Sequence, residues 1–335
     1  MKSKLALLFS IVILFSFLFA AWGCAPAEDV VEEPAEDEEP AAELPDEDIF
    51  IVIAAGSPGG VYFPLGAGLA YVFERRIPGV TAMSETTGAS VENSRLVARG
   101  ESEMGMVMAN VAWDAYVGEG AFEDDGELPV RTLFSMYPAQ QHLITLANSG
   151  IETIEDLVGM TVSVDAPGSG AEVTSYIILE AAGILDQVNT VNYSQPEAAE
   201  ALLDGQVDAV FYNFASPAAV VEQIVASRDA HFVPVEADLI DTILAEYPYF
   251  SPGFIPAGHY GLTEDVSALT VGNLMLVNED MDEQLAYDLL TAIFHEDSLA
   301  ELVGIHPIAS NFQVVLASEA PVPFHPGAER FFGEQ

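Results

Sequence analysis

From Ile49 onward the chain alternates short apolar, β-rich runs with segments of helical period, and Gly/Ser loops separate many of them. That alternation points to an α/β architecture, because strands joined by helical crossovers assemble into largely parallel sheets. Ile49–Ile53 reads as a buried strand and Gly56–Gly60 breaks it. Val61–Arg76 follows at helical spacing and closes on two arginines, which suit a helix C-terminus. Val80–Thr86 predicts a strand, Ser90–Arg99 a helix and Gly105–Met108 a third strand, with Arg131–Pro138 a strand leading out of this series. The second series has strands at His142–Leu146 and Thr161–Val164, separated by a helical turn at Ile154–Leu157. Pro167–Gly170 leads into a helix ending at Ala182, and Val188–Tyr193 is the next strand. Ser194-Gln195-Pro196-Glu197 is a helix start in which Ser caps the backbone and Glu reaches back. Ala209–Tyr212 is a strand, a helix begins at Pro217, and Val271–Val277 and Asp282–Phe294 return as strand and amphipathic helix. Two such series with a crossing between them predict two lobes, 49–138 plus 250–335 and 139–249, with a small-ligand cleft at their junction.

The residues before Ile49 read as address and tether. Lys2 and Lys4 precede an apolar run from Leu5 to Ala21, then Trp22, Gly23 and Cys24, the order of an export signal over 1–23. The run is near the lower limit for crossing a bilayer, so cleavage and retention as an anchor both stand. Cys24 is the only cysteine, so it has no disulfide partner within the chain. Its position resembles the lipid-attachment site of bacterial lipoproteins, with Ala21-Trp22-Gly23-Cys24 as the lipobox; an incidental thiol is the other reading. Residues 24–48 are almost wholly Glu, Asp, Pro and Ala, the composition of an extended acidic tether. The body would then sit outside the cytoplasm, in a periplasm or on the outer face of the cell membrane, held there by a lipid anchor.

Charge excludes several functions. Both lysines lie in the signal, and the remainder sets seven arginines against 53 acidic residues. Nucleic acid is no partner, since phosphate binding rests on Lys and Arg. The same balance makes the body repel itself in dilute buffer, whereas at molar salt the screening length falls to roughly 3 Å. A saline habitat and a halophilic surface follow. Without lysine there is no Walker A lysine and no Schiff base. A lone cysteine leaves no CxxC site. The six histidines, at 142, 231, 259, 295, 306 and 325, show no HExxH or HxH spacing, and there is no D-x-D-x-D-G calcium loop. The nearest approach to a nucleophile elbow, Pro167-Gly168-Ser169-Gly170-Ala171, has Pro and Ala at the two glycine positions. No catalytic residue, cofactor or metal is expected.

Two Gly/Ser loops remain, Gly56–Gly60 and Gly168–Gly170, each between a strand and a helix. Free backbone N–H groups at a helix start attract anions through unpaired donors and the helix dipole. Around them the chain carries a series of motifs. Gly56-Ser57-Pro58-Gly59-Gly60-Val61-Tyr62-Phe63-Pro64-Leu65-Gly66 resembles the G-[ST]-x-G-G-x-Y-[YF]-P-x-G opening of TAXI-type solute receptors of TRAP transporters. Gly88-Ala89-Ser90-Val91-Glu92-Asn93 is similar to that family's G-[GA]-S-V-E-N segment, and Tyr137-Pro138 with His142 to its Y-P-x-x-x-H element. Ala166-Pro167-Gly168-Ser169-Gly170-Ala171-Glu172 resembles A-P-G-S-G-T-E, with Ala for Thr. Ile255-Pro256-Ala257-Gly258-His259-Tyr260 and His325-Pro326-Gly327-Ala328 resemble its I-P-A-G-x-Y and H-P-G-A segments, so the likeness runs through the whole body.

The resemblance implies a two-lobed type II periplasmic-binding fold, a cleft that closes on a small carboxylate such as glutamate or 2-oxoglutarate, and delivery to a fused TRAP membrane permease driven by an ion gradient. Met108 departs from it, standing where many members have Gln. Candidate ligand contacts are Ser57, Gly59, Gly60 and Val61 through backbone donors, and Tyr62 through its hydroxyl. Ser90, Asn93, Asn110 and Tyr137 follow from the first series, and His142 from the start of the second. Ser169, Gly170 and Ala171 supply donors from the second, with Tyr212 and Asn213 beyond a strand. Each has a structural alternative: a cap for Ser90, core packing for His142 and Tyr212. The arginines are assigned structural or solvated roles. Two other functions share these features: a binding lipoprotein of an ABC importer of the thiamine-precursor or nitrate type, and, more remotely, an acidic surface lipoprotein without ligand or a hydrolase.

The charge balance yields a direct expectation. Raising the ionic strength from dilute buffer to molar salt should raise the melting temperature steeply, and a flat salt profile would contradict the repulsion argument.

Overall fold

The computed structural model describes residues 49–314 and 320–335. The signal, Cys24 and the acidic tether lie outside the described residues. Two parallel strand groups sit at the ends of one sheet. β1 (Ile49–Ala54) runs parallel to β2 (Val80–Glu85) and β3 (Met104–Met108). β5 (Thr161–Ser163) runs parallel to β6 (Asn189–Val191) and β7 (Ala209–Phe214). Between them lie two long strands, β4 (Val130–Leu146) and β10 (Val266–Asn278), giving the order β2-β1-β3-β10-β4-β7-β5-β6. Short β8 (Ala230–Phe232) pairs with β4, and β9 (Phe250–Ile255) with β10.

Here the structure corrects the largely parallel expectation. β4 and β10 are antiparallel to each other and to their neighbours β7 and β3. Together they link the groups: β10 pairs with β3, and β4 pairs with β10 from Val130 to Gln140 and with β7 from Gln140 to Thr145. The stretches Arg131–Pro138 and His142–Leu146 are therefore one strand. Pro138, which has no N–H to give, sits opposite Gly272, just before Gln140, where β7 joins β4. β10 likewise begins at Val266, five residues before the expected start at Val271.

Helices cover both faces of the sheet. α1 is Tyr62–Arg76, α2 Ser90–Ala98 and α3 Ala109–Val117. α4 is Gly170–Ala181, α5 Gln195–Leu203, α6 Ala219–Ser227 and α7 Ala237–Glu246. α8 (Glu283–Ile293), α9 (Glu296–Ile305) and the C-terminal helix Pro326–Gly333 complete the set. α3 escaped the sequence reading because it starts directly from β3, with no Gly or Pro between them, and stops only at Gly118 in a left-handed conformation. The helix start at Ser194 is as expected, with the Glu197 carboxylate accepting from Ser194 N–H at 3.0 Å.

Alternation along β10 shows both faces buried. Met275 and Val277 join one apolar cluster, and Leu274 and Leu276 the other. α2 is pinned by a buried amide: Asn93 Nδ2 donates to Ala55 O at 2.8 Å and to Met106 O at 2.7 Å, and Oδ1 accepts from Thr87 Oγ1 at 2.5 Å. An alanine there would leave buried carbonyls unpaired, at about 1–3 kcal/mol each. Among the described residues no helix is long and apolar enough to cross a membrane.

Candidate ligand cleft

Three helices begin at one cleft. The loop after β1 delivers the start of α1, Ala89 delivers that of α2, and the loop after β5 delivers that of α4; Gly60, Val61, Tyr62, Ser90, Gly170 and Ala171 all line the space between them. The first N–H groups of a helix have no partner within it. At α4 the Ser169 side chain accepts from Glu172 N–H at 3.0 Å, leaving Gly170 and Ala171 to face the cleft. Some 440 Å³ of atom-free space, the open mouth included, lies here.

The loops that build the cleft touch across it. Val91 N–H at the start of α2 donates to Gly168 O, before α4, at 2.9 Å. A Cβ at Gly170 would collide with Met108 Sδ and lie 2.8 Å from Ser90 Oγ, so only glycine lets α4 approach β3 and α2 this closely. Two non-glycine residues with positive φ line the same space, Ala89 at 70° and Asp165 at 80°. Strained backbone of this kind concentrates at ligand clamps.

Several sequence candidates lie on the cleft wall: Ser57, Gly60, Val61, Tyr62, Ser90, Tyr137, Ser169, Gly170, Ala171 and Asn213. The Tyr62 hydroxyl donates to Asn273 Oδ1, and Asn273 Nδ2 donates to Tyr137 O at 3.2 Å. Burial pushes both phenols well above their ordinary pKa, so they stay neutral donors. Ser90 Oγ accepts from Met108 N–H at 3.1 Å, and Asn213 Nδ2 donates to Gln141 Oε1 at 3.2 Å.

Five candidates do not line it. Gly59 backs onto Pro196 of α5. Asn93 is consumed in pinning α2. Asn110 is fully buried in α3 and donates towards Thr174 Oγ1 at 3.4 Å. His142 is packed among Phe214, Phe232 and Tyr260, with Nδ1 at 2.8 Å from Gln140 O and Nε2 at 3.2 Å from Ser216 Oγ. Burial lowers its pKa to about 4, so it is a neutral core histidine. Tyr212 is buried behind the wall, its hydroxyl donating to Gln195 O at 2.9 Å.

The sequence reading missed Asp165, Gln195 and Asn273, all of which line the cleft. Asp165 is 1% exposed. Its Oδ1 accepts from Ala166 N–H at 2.6 Å and its Oδ2 from Gln195 Nε2 at 3.3 Å. Burial raises its pKa to about 7, against the lowering pull of those two donors. Among the described residues no Arg, Lys or His lines the cleft. Arginines are paired elsewhere, Arg131 with Glu279 at 2.5 Å and Arg95 with Asp125 at 2.7 Å. Two acceptor-capable atoms in the wall, Gln195 Oε1 and Ser57 Oγ, are buried without a partner. A carboxylate between a strand and a Pro-Gly-Ser-Gly loop was a readable signal for Asp165. Gln195 was hidden inside a helix-start motif whose Ser and Glu drew the attention.

A sheet of two parallel groups joined by crossing strands, with a cleft of helix starts between them, defines the α/β fold of periplasmic binding proteins. Residues 53–335 match the NMT1-like family, and the chain belongs to it. Two solved structures share the fold. The periplasmic binding protein BugD is similar at a TM-score of 0.51 and 12% identity, over 78% of this chain and 88% of that one. XAC2383 from Xanthomonas citri, bound to ATP, is similar at a TM-score of 0.50 and 12% identity, over 85% and 94%.

The raised pKa of Asp165 carries a stability signature with a defined sign. The folded protein holds this proton more tightly than the unfolded chain, so the group contributes stability below about pH 4 that is lost as the pH rises through about 7. Glu172 adds to the rise, while Gln195 and Ala166 oppose it. Asp165→Asn in the ligand-free protein should therefore be more stable than the parent at pH 8, by up to about 4 kcal/mol. The gap should shrink towards pH 4 in urea titrations at constant molar salt. A gap that does not change with pH would contradict the burial argument.

Proposed function

We propose that this protein is an extracytoplasmic solute-binding protein that captures a small carboxylate in the cleft and hands it to a membrane importer. The observation that carries the reading is the convergence of three helix starts, α1, α2 and α4, on one space that no cationic side chain among the described residues lines. Such donors act on an anion locally, while salt screens the distant acidic surface. Each charge-assisted hydrogen bond contributes on the order of 1.5–3 kcal/mol, so losing one weakens binding about ten- to a hundredfold. Lobes 49–138 plus 250–335 and 139–249 would close on the ligand about the crossing strands, and Cys24 would hold the protein at the membrane by lipid.

Two importer classes fit. The motifs from Gly56 to Ala328 resemble TAXI receptors, which serve TRAP permeases. The NMT1-like match supports the second class better, an ABC importer of the thiamine-precursor or nitrate type. Uptake in cells separates them: collapse of the ion gradients with ATP maintained stops a TRAP permease and spares an ABC importer.

Ligand capture is tested by thermal shift against a broad metabolite panel in molar salt, followed by calorimetric titration of the hits. A small carboxylate should bind one to one, and Gly170→Val should weaken it at least tenfold by wedging α4 away from Met108 and Ser90. No stabilising carboxylate, preference for a solute without one, or full affinity in the Gly170 variant would overturn the reading.

A further inference from the structure

A second cavity opens where the end of α3, the middle of α4 and the turn between α7 and β9 meet, and it shares no lining residue with the cleft. About 1420 Å³ of atom-free space lies there, the open mouth included. Three aromatic rings, Trp113, Tyr247 and Tyr249, and three carboxylates, Asp114, Glu119 and Glu246, line it. Packing holds the phenols in place: the Tyr249 ring lies 5.3 Å and the Tyr247 ring 6.3 Å from that of buried Phe250. Two of the acids are brought together by the way α3 stops. Gly118 and Glu119 N–H both donate to Asp114 O, at 2.8 and 2.9 Å, which turns the chain back towards Asp114. No basic residue stands in the last turn of α3, so the negative end of the helix adds to the charge of these acids.

Nothing among the described residues answers that charge. No Arg, Lys or His of them lines the cavity, and none of the three carboxylates takes part in an ion pair with them. Beyond them the only basic side chains of the sequence are Lys2 and Lys4. Burial, and then the charge of Glu119, raises the Asp114 pKa to about 6. Burial, and then the charge of Asp114, also raises that of the Tyr249 hydroxyl, so this carboxylate and this ring share one space. A half-buried carboxylate gains from a positive partner, and the faces of Trp and Tyr rings attract cations.

We infer that this cavity is a second binding site, which takes a small organic cation of the quaternary-ammonium type between the rings and the acids. The inference goes beyond the solute-binding reading and does not depend on it. A quaternary ammonium has no N–H donors to satisfy, and its methyl groups meet the rings and the side chains of Val173 and Ile177 that line the α4 wall. A metal ion fits less well, because it needs several oxygen ligands converging at short range. Among the described residues no group of three or more His, Cys, Asp or Glu is placed to hold one.

Calorimetric titration of choline at pH 8, where Asp114 is ionised, tests the site in molar sodium chloride and without any carboxylate solute. The salt suppresses loose attraction of cations to the acidic surface. The matched control is 3,3-dimethylbutan-1-ol, which has the shape of choline with carbon in place of the charged nitrogen. Choline should bind one to one and about tenfold or more tighter than the alcohol. Asp114→Asn and Tyr249→Leu should each weaken choline by about fivefold or more, whereas Tyr249→Phe, which keeps the ring, should stay close to the parent. The parent's own preference for choline over the alcohol decides the matter if a variant does not fold. No saturable choline binding, equal binding of the alcohol, or full choline affinity in the folded Asp114 and Tyr249→Leu variants would overturn the inference and leave the carboxylate reading of the cleft untouched.

Discussion

The antiparallel pairing of β4 with β10 carries the geometry of the whole body. Each strand is longer than any other in the sheet; β10 pairs with β3 of one parallel group and β4 with β7 of the other. Because their register runs from Val130 against Asn278 to Gln140 against Thr270, the two groups are held side by side and not merely tethered by loops. Helices that follow β1, β2 and β5 therefore start on a common line. The cleft lies where strands end and helices begin, so its donors come from backbone, and side chains are left to refine the chemistry. The same two strands are the continuous connections about which the groups could pivot.

An acidic chain proposed to bind an anion looks contradictory until length scales are compared. Surface carboxylates are screened over a few ångströms in strong salt, whereas N–H groups of a helix start act at hydrogen-bond distance in a partly dry cleft. Most of the described arginines are committed to ion pairs such as Arg131–Glu279 and Arg75–Glu301, and Arg228 donates to Leu203 O at 3.3 Å. Net charge governs solubility and salt dependence, and in the proposed reading local backbone geometry governs recognition. Asp165 adds a carboxyl group to the cleft wall, and burial raises its pKa to about 7.

Much of the fold was legible in the sequence because its elements are short and punctuated. Gly56–Gly60 and Pro167–Gly170 mark strand-to-helix turns, and Ser194 with Glu197 marks a helix start. What was not legible follows from the same physics. Pro138 reads as a break, yet it lies inside β4, opposite Gly272 and just before β7 joins at Gln140. α3 has no punctuation at its start. Asn93 and His142 carry functional-looking side chains, but the tertiary fold spends them on Ala55 O and Met106 O in one case and on an aromatic cage in the other. Asp165 and Gln195 emerge only when β5 and α5 are brought together, a juxtaposition no local spacing encodes.

The central claim is that the three helix starts hold the ligand carboxylate. A crystal structure of the protein with the tightest-binding panel compound tests it most directly. The account predicts ligand density between α1, α2 and α4, with carboxylate oxygens within hydrogen-bond distance of the Gly170 and Ala171 N–H groups. A ligand seated in another groove, or in this cleft with its carboxylate turned away from every helix start, would contradict it.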